Sequence, residues 1–310
     1  MDALNIVSTI IPIFSVIILG WLARWKGFIQ QEFLEPANRL VYYLAIPALI
    51  FRAISKASLK TQFDVMVLVI TLFSAVVIFA FAWGMGFLLR LRLGQLGTFI
   101  QTTFHGNLGY IGLAIAFYLL GNEGFVRASI IAGFLIILQN FLSVISLQFN
   151  SDDISVKRNK LYIVLKILGN PVILSALAGI LFSLSGLKMP LVIDRSLHIL
   201  GGLALPMALL IIGASLSFEL MQLRILRVIS SSLLKLILLP GIGFLLYRIF
   251  GIAVQDYLPA LILLASPTAT ITYVMAREMG GDVDFAVAAI STSTLISSIT
   301  FTLWINIAGM

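Results

Sequence analysis

Two short stretches place polar and helix-breaking residues where their surroundings are apolar. The first is His105-Gly106-Asn107-Leu108-Gly109-Tyr110-Ile111-Gly112, and the second is Ala265-Ser266-Pro267-Thr268-Ala269-Thr270-Ile271-Thr272. In a helix interior, glycine costs about 1 kcal/mol relative to alanine, and proline about 3. Asn and Ser add polar atoms that hydrocarbon cannot satisfy. Neither stretch suits a lipid-facing helix. A helix broken there exposes N–H groups with positive dipole on one side and carbonyl oxygens on the other. Asn107, Gly109, Ser266, Thr268 and Thr270 would orient a small ligand, and half-helix N-termini would favour negative charge on it. The competing reading is a pair of packing kinks, because small residues let membrane helices approach closely.

Lys235 is the one Lys or Arg placed well inside an apolar run. An ionisable residue there is a functional candidate by default. It would attract a carboxylate or act as a fixed internal cation. The alternative is a lysine snorkelling to an interface, or bonding carbonyls that nearby Pro240 frees. His105, beside the first break, is a candidate proton site, against the plainer reading of a histidine bonded to a neighbouring helix. Gln139 and Asn140 face the same choice between coordinating a cation and joining helices. Asp and Glu fall only at the ends of the apolar runs or in loops, as Asp64, Glu278 and Asp284 do, which speaks against a proton relay through a buried carboxylate. Proton coupling through a ligand's own carboxylate, or sodium held by neutral oxygens, stays open. No metal site and no bound cofactor is expected beyond a coupling H⁺ or Na⁺.

The elements that must position these residues follow from composition. The 310 residues are 60% hydrophobic and 11% charged, with mean hydropathy +1.10. Soluble domains run at about 45–50% apolar and about 25% charged. This is an all-α integral membrane protein, since barrel strands would alternate polar and apolar positions. The net charge of +7 sits largely in short loops, where it sets orientation and calls for no nucleic-acid partner. The first apolar run lacks the basic leader of a signal peptide and reads as a retained span. Ten spans are expected at about 4–22, 37–54, 64–89, 98–120, 125–149, 161–184, 196–217, 228–249, 257–279 and 284–308. The breaks then lie inside spans 4 and 9.

The chain also repeats itself at an offset of 159 residues. Pro12 maps onto Pro171, Gly20 onto Gly179, Gly27 onto Gly186, Leu44-Ala45-x-Pro47 onto Leu203-Ala204-x-Pro206, and Gly121 onto Gly280. Asn107 maps onto Ser266, so the breaks are equivalent. The expected organisation is a first five-span repeat (1–149), a polar cytoplasmic connection (150–160) and a second five-span repeat (161–310). An odd number of spans per copy inverts the second copy in the membrane. Lys and Arg favour the loops after odd spans, which puts both termini outside. Paired interruptions in inverted repeats are a pointer to a transporter's binding site.

With Asn107-x-Gly109-x-x-Gly112, Lys235-Leu236-x-Leu238-x-x-Pro240, Pro267-Thr268-Ala269-x-x-x-Tyr273 and Gly280-Gly281-Asp282, the chain resembles the auxin efflux carrier family over its whole length. That family includes plant auxin exporters and bacterial organic-acid permeases, within a bile acid/sodium symporter-like superfamily. The resemblance implies a scaffold of spans 1, 2, 6 and 7, and a transport domain of spans 3–5 and 8–10. Spans 4 and 9 would cross in an X at the substrate, with Asn107 and Pro267 at the crossing. It further implies a dimer through the scaffold and a cell inner membrane location. One departure is that family members often carry proline at both crossings, whereas the first here carries Gly106, Gly109 and Gly112.

The expected function is a secondary active transporter of a small organic anion such as a carboxylate or dicarboxylate. The competing readings are an ion or solute channel and a sodium-coupled symporter of another solute. An enzyme is disfavoured, because two His and no intramembrane carboxylates leave little to activate a nucleophile.

Overall fold

The structure, a computed structural model, describes residues 3–57, 64–150, 169–221 and 225–309. The 150–160 connection beyond Asn150, and the start of the expected sixth span, lie outside the described residues. Within them every regular element is a helix, and the single extended pairing is an isolated bridge.

Helix α1 (Ala3–Trp25) contains Pro12. After it, α2 (Gln31–Ser55) carries a π-helical turn, Val41–Ala45, just before Pro47. Helix α3 (Val65–Leu88) starts at Asp64, whose carboxylate accepts the N–H groups of Met66 and Val67 at 2.7 and 3.2 Å. Helix α4 (Leu93–Phe104) stops at the first break. The chain resumes in a π-helical turn, Leu108–Gly112, that opens α5 (108–120). Gly121, at φ 66°, separates α5 from α6 (122–149). The second half follows with α7 (Pro171–Leu184), α8 (Leu191–Ala214) and a one-turn helix, Phe218–Met221. Helix α9 (Ile225–Ile249) carries the π-helical turn Leu234–Leu238. Helix α10 (Val254–Ala265) stops at the second break, α11 (Ile271–Glu278) continues it, and α12 (Val283–Gly309) closes the chain.

Six of the described helical stretches are long and apolar enough to cross a membrane: α2, α3, the 108–149 stretch, α8, α9 and α12. Ile10–Trp25, α7 and α10 are apolar but shorter. The protein is therefore an integral, multi-pass helical membrane protein. Several helices begin earlier than the apolar runs predict: α4 at Leu93, α8 at Leu191 and α10 at Val254. Their first turns hold Gln95, Asp194 and Asp256. Hydropathy reads only the part of a helix that suits hydrocarbon, and these turns carry polar groups.

The tightest packing joins α1 to α8 and α2 to α7, with α2 also against α8. Glycines make it possible. Gly20 lies against the Leu210 carbonyl, and Gly213 against that of Ile17, at separations that leave no room for a Cβ. A Cβ on Gly179 would stand 3.3 Å from the Phe51 oxygen. Asp194 anchors the same region by accepting from Arg52 Nε at 2.7 Å and Lys56 Nζ at 2.6 Å.

Candidate functional site: the crossing of two broken helices

The two interruptions meet. Asn107 N–H donates to Pro267 O at 2.7 Å, and Ala269 N–H donates to His105 O at 2.9 Å. These bonds make Gly106 and Thr268 an antiparallel bridge. The expectation that both breaks leave free backbone ends needs correction here. Hydrocarbon offers no partners, so peptide groups inside the breaks bond each other.

The carbonyl ends are closed by side chains. At the end of α4, Gln139 Nε2 donates to Phe104 O at 2.9 Å and Thr268 Oγ1 donates to Thr102 O at 2.9 Å. At the end of α10, Ser266 Oγ donates to Ile262 O at 3.0 Å and Lys235 Nζ donates to Leu264 O at 2.7 Å. In an unbroken helix Leu264 O would accept the Thr268 N–H. That N–H turns instead to Ser293 Oγ on α12, at 3.1 Å.

Lys235 is wholly buried. It neither snorkels nor uses the carbonyl that Pro240 frees. Proline removes the N–H that Leu236 O would receive, and Trp304 Nε1 supplies the missing donor at 2.8 Å. The lysine reaches across to α10, so close to the first break that a Cβ on Gly106 would stand 3.3 Å from Nζ.

The start of α5 is the open part of the crossing. Asn107 is its N-cap, and Asn107 O accepts from Ile111 and Gly112 at 3.2 and 3.1 Å. The side-chain Nδ2 is buried and has no hydrogen-bond partner, although a buried orphan donor is costly. The first N–H groups of any helix lack intrahelical acceptors, and here that of Leu108 turns back to Gly106 O at 2.9 Å. Beside them, a Cβ on Gly109 would meet only Ile46 Cδ1 of α2, at 4.0 Å. One residue on, Tyr110 OH donates to Asn38 Oδ1 of α2. Gly112 is the opposite case: a Cβ there would stand 2.6 Å from Ser266 Oγ and 3.0 Å from Leu263 Cδ2. Only glycine lets α5 pass α10 at this separation.

His105 is bonded as a neighbouring-helix histidine. Its Nδ1 lies 2.8 Å from Ser143 Oγ, and Ser143 Oγ donates to Gln139 O at 2.7 Å. With the serine proton so committed, Nδ1 carries a proton and donates. Gln139 is a helix cap whose Oε1 is left buried and without a partner. Asn140 is not brought to the crossing: it bonds Ile136 O of its own helix at 2.9 Å. Thr270, at the start of α11, is half-buried and makes no capping bond.

Four crossing residues go beyond those the sequence singles out: Gln101, Thr102, Ser143 and Ser293. Gln101 Nε2 lies 3.3 Å from Met275 Sδ, and its Oε1 is buried without a partner. A signal for Ser293 exists in Ser291-Thr292-Ser293-Thr294, a hydroxyl run inside the last apolar span. Among the described residues, no three His, Asp or Glu come together to hold a metal ion. A groove of about 590 Å³ between α1 and α12, lined by Ile10, Phe14, Ile299 and Leu303, lies apart from the crossing.

A family model described as membrane transport protein matches residues 5–305. The chain is 27% identical over 315 aligned positions to a Rhizobium meliloti protein named "Putative malonate transporter", covering 96% of this chain and 94% of that one. It is 24% identical over 308 positions to an uncharacterized transporter of Methanocaldococcus jannaschii, covering 96% and 97%. An uncharacterized transporter of Methanothermobacter thermautotrophicus is 23% identical over 299 positions, with 96% of each chain covered. A match running nearly end to end settles the membership: the chain belongs to the auxin efflux carrier-like family of membrane transport proteins.

Proposed function

We propose that this protein is a secondary active transporter of a small organic anion, a carboxylate or dicarboxylate, working by alternating access around the crossed broken helices. The observation that carries this reading is the buried, unpartnered Asn107 amide at the start of α5, two residues before the partly exposed Gly109. Hydrogen-bond donors and a helix N-terminus at one point favour a negatively charged group. The Rhizobium meliloti relative named for malonate supports this substrate class. Asn107, Gly109 and Thr270 would touch the anion, while Ser266, Pro267 and Thr268 hold the crossing and Lys235 attracts from behind it.

The architecture proposed is ten spans in two inverted repeats. Helices α4 and α10 have 12 residues each, a length of about 18 Å against about 30 Å of hydrocarbon. Each needs its continuation, α5 or α11, to complete a crossing. Reciprocal contacts support a pseudo-twofold: Gly20 meets Leu210, and their counterparts at the 159-residue offset, Gly179 and Phe51, meet each other. Gly121 and Gly280, paired by the offset, both have positive φ, at 66° and 69°. In this reading α1, α2, α7 and α8 form the scaffold, and α3–α6 with α9–α12 move against it. The bond from Tyr110 to Asn38 would break with each cycle. Both termini would lie outside a bacterial inner membrane, with 150–160 in the cytoplasm.

Counterflow in proteoliposomes tests carrier against channel. Vesicles loaded with unlabelled malonate should accumulate labelled malonate faster than empty ones, and the rate should saturate. Flux that rises linearly with concentration and ignores internal substrate would establish a channel and remove alternating access.

A further inference from the structure

The geometry points to Lys235 as a tethered cation that takes the place of a coupling ion at the carbonyl end of α10, so that transport needs no sodium. This rests on the carrier reading above and adds how the charge at the crossing is balanced.

Three observations meet at this residue. First, Lys235 Nζ sits at the C-terminal end of a broken half-helix, 2.7 Å from Leu264 O. Carbonyl ends of broken membrane helices are where a coupling cation is coordinated, because the negative end of the dipole gathers there. An ammonium satisfies the same demand. Second, the position is sealed: the side chain has no exposure, and the neighbouring carbonyls Leu263 O and Ile262 O are taken by Ser266 N–H and Ser266 Oγ. Third, Lys235 has no counterpart in the first half. The 159-residue offset maps it onto Val76, and the carbonyl end of α4 is closed by neutral Gln139.

The polar groups facing the ammonium come from the elements around it. Leu264 O lies on α10 and the Gly106 backbone in the first break. His105, next in sequence, turns its Nδ1 to Ser143 on α6. No ion pair to a carboxylate is recorded for Lys235 among the described residues. The negative partner is then the substrate, one backbone layer away beyond Gly106. A dissociable cation would have to enter and leave in each cycle, whereas a tethered one travels with the moving helices.

The test compares wild type with Lys235→Ala and Lys235→Met, using labelled malonate uptake in sodium, potassium or N-methylglucamine buffers and thermal unfolding in detergent. Wild-type uptake should be equal in all three buffers. Lys235→Met should lose at least tenfold in rate. Lys235→Ala should lose as much and recover several-fold on addition of methylammonium, which restores an ammonium to the space opened. Its unfolding temperature should rise with methylammonium, while that of wild type does not move. Sodium-dependent uptake by wild type overturns the inference, as does wild-type uptake by Lys235→Met. Unfolding of Lys235→Ala that ignores methylammonium also overturns it. If wild type moves no organic acid, the carrier reading fails, and the unfolding measurements alone decide whether Lys235 holds a cation's place.

Discussion

The two breaks occupy equivalent places in the two halves and are built by opposite means. The first is made of space: Gly106, Gly109 and Gly112 let the chain turn, admit the Lys235 ammonium and pass within touching distance of Ser266. The second is made of bonds: Pro267 lacks an N–H, and Ser266 and Thr268 use their hydroxyls to close carbonyls on α10 and α4. The first keeps an unpartnered donor, Asn107 Nδ2. At the second, Thr268 has both its N–H and its hydroxyl bonded. In the proposed reading these are two copies of one device, the first serving as the receptor and the second as its support. Changes to the shape of either break should lower uptake, and changes to the side chains that close the carbonyl ends should alter stability.

The largest expected effect comes from filling the first break. Gly112→Val should abolish uptake, with a loss beyond a hundredfold, and destabilise the fold by about 1–3 kcal/mol through overpacking against Ser266 and Leu263. Normal uptake in this variant would mean that α5 and α10 need not pass so closely. Pro267→Ala comes next: restoring an N–H in place of the ring should lower uptake at least tenfold while the protein still inserts, as seen by size exclusion in detergent. Gln139→Leu should cost about 1–3 kcal/mol in unfolding free energy, since Phe104 O is left buried and unpaired. Thr268→Val should cost about 1 kcal/mol for its bond to Thr102 O, with little change in KM. The smallest effect is expected at Gly109→Ala, where a methyl would meet only Ile46 Cδ1, at ordinary contact distance. It should shift KM a few-fold and leave the unfolding temperature unchanged.

Much of this was legible in the sequence because it depends on residue type at fixed spacing. Gly27 and Gly186, matched by the 159-residue offset, both have positive φ, at 80° and 68°. Both helices break where glycine or proline enters an apolar run. What could not be read is which group closes which broken end. Gln139 lies 35 residues from Phe104, and Thr268 lies 166 from Thr102. Such pairs follow from how helices stack, and periodicity says nothing about them. For the same reason Gln139 and Asn140, adjacent in sequence, part company: one side chain turns into the crossing and the other bonds its own helix. Lys235 was recognisable as out of place in an apolar run. Its partner was not, because Pro240 offered a nearer carbonyl that Trp304 takes from 68 residues away.

The central claim is that the start of α5 binds the anion, and Asn107→Asp tests it most directly. This change keeps the shape of the side chain, removes the unpartnered donor and puts a like charge where the substrate should sit. Saturable uptake of labelled malonate by wild type in proteoliposomes, reduced at least a hundredfold in Asn107→Asp with an unchanged elution profile, is the predicted result. Equal uptake by the two proteins would contradict it and place the substrate elsewhere.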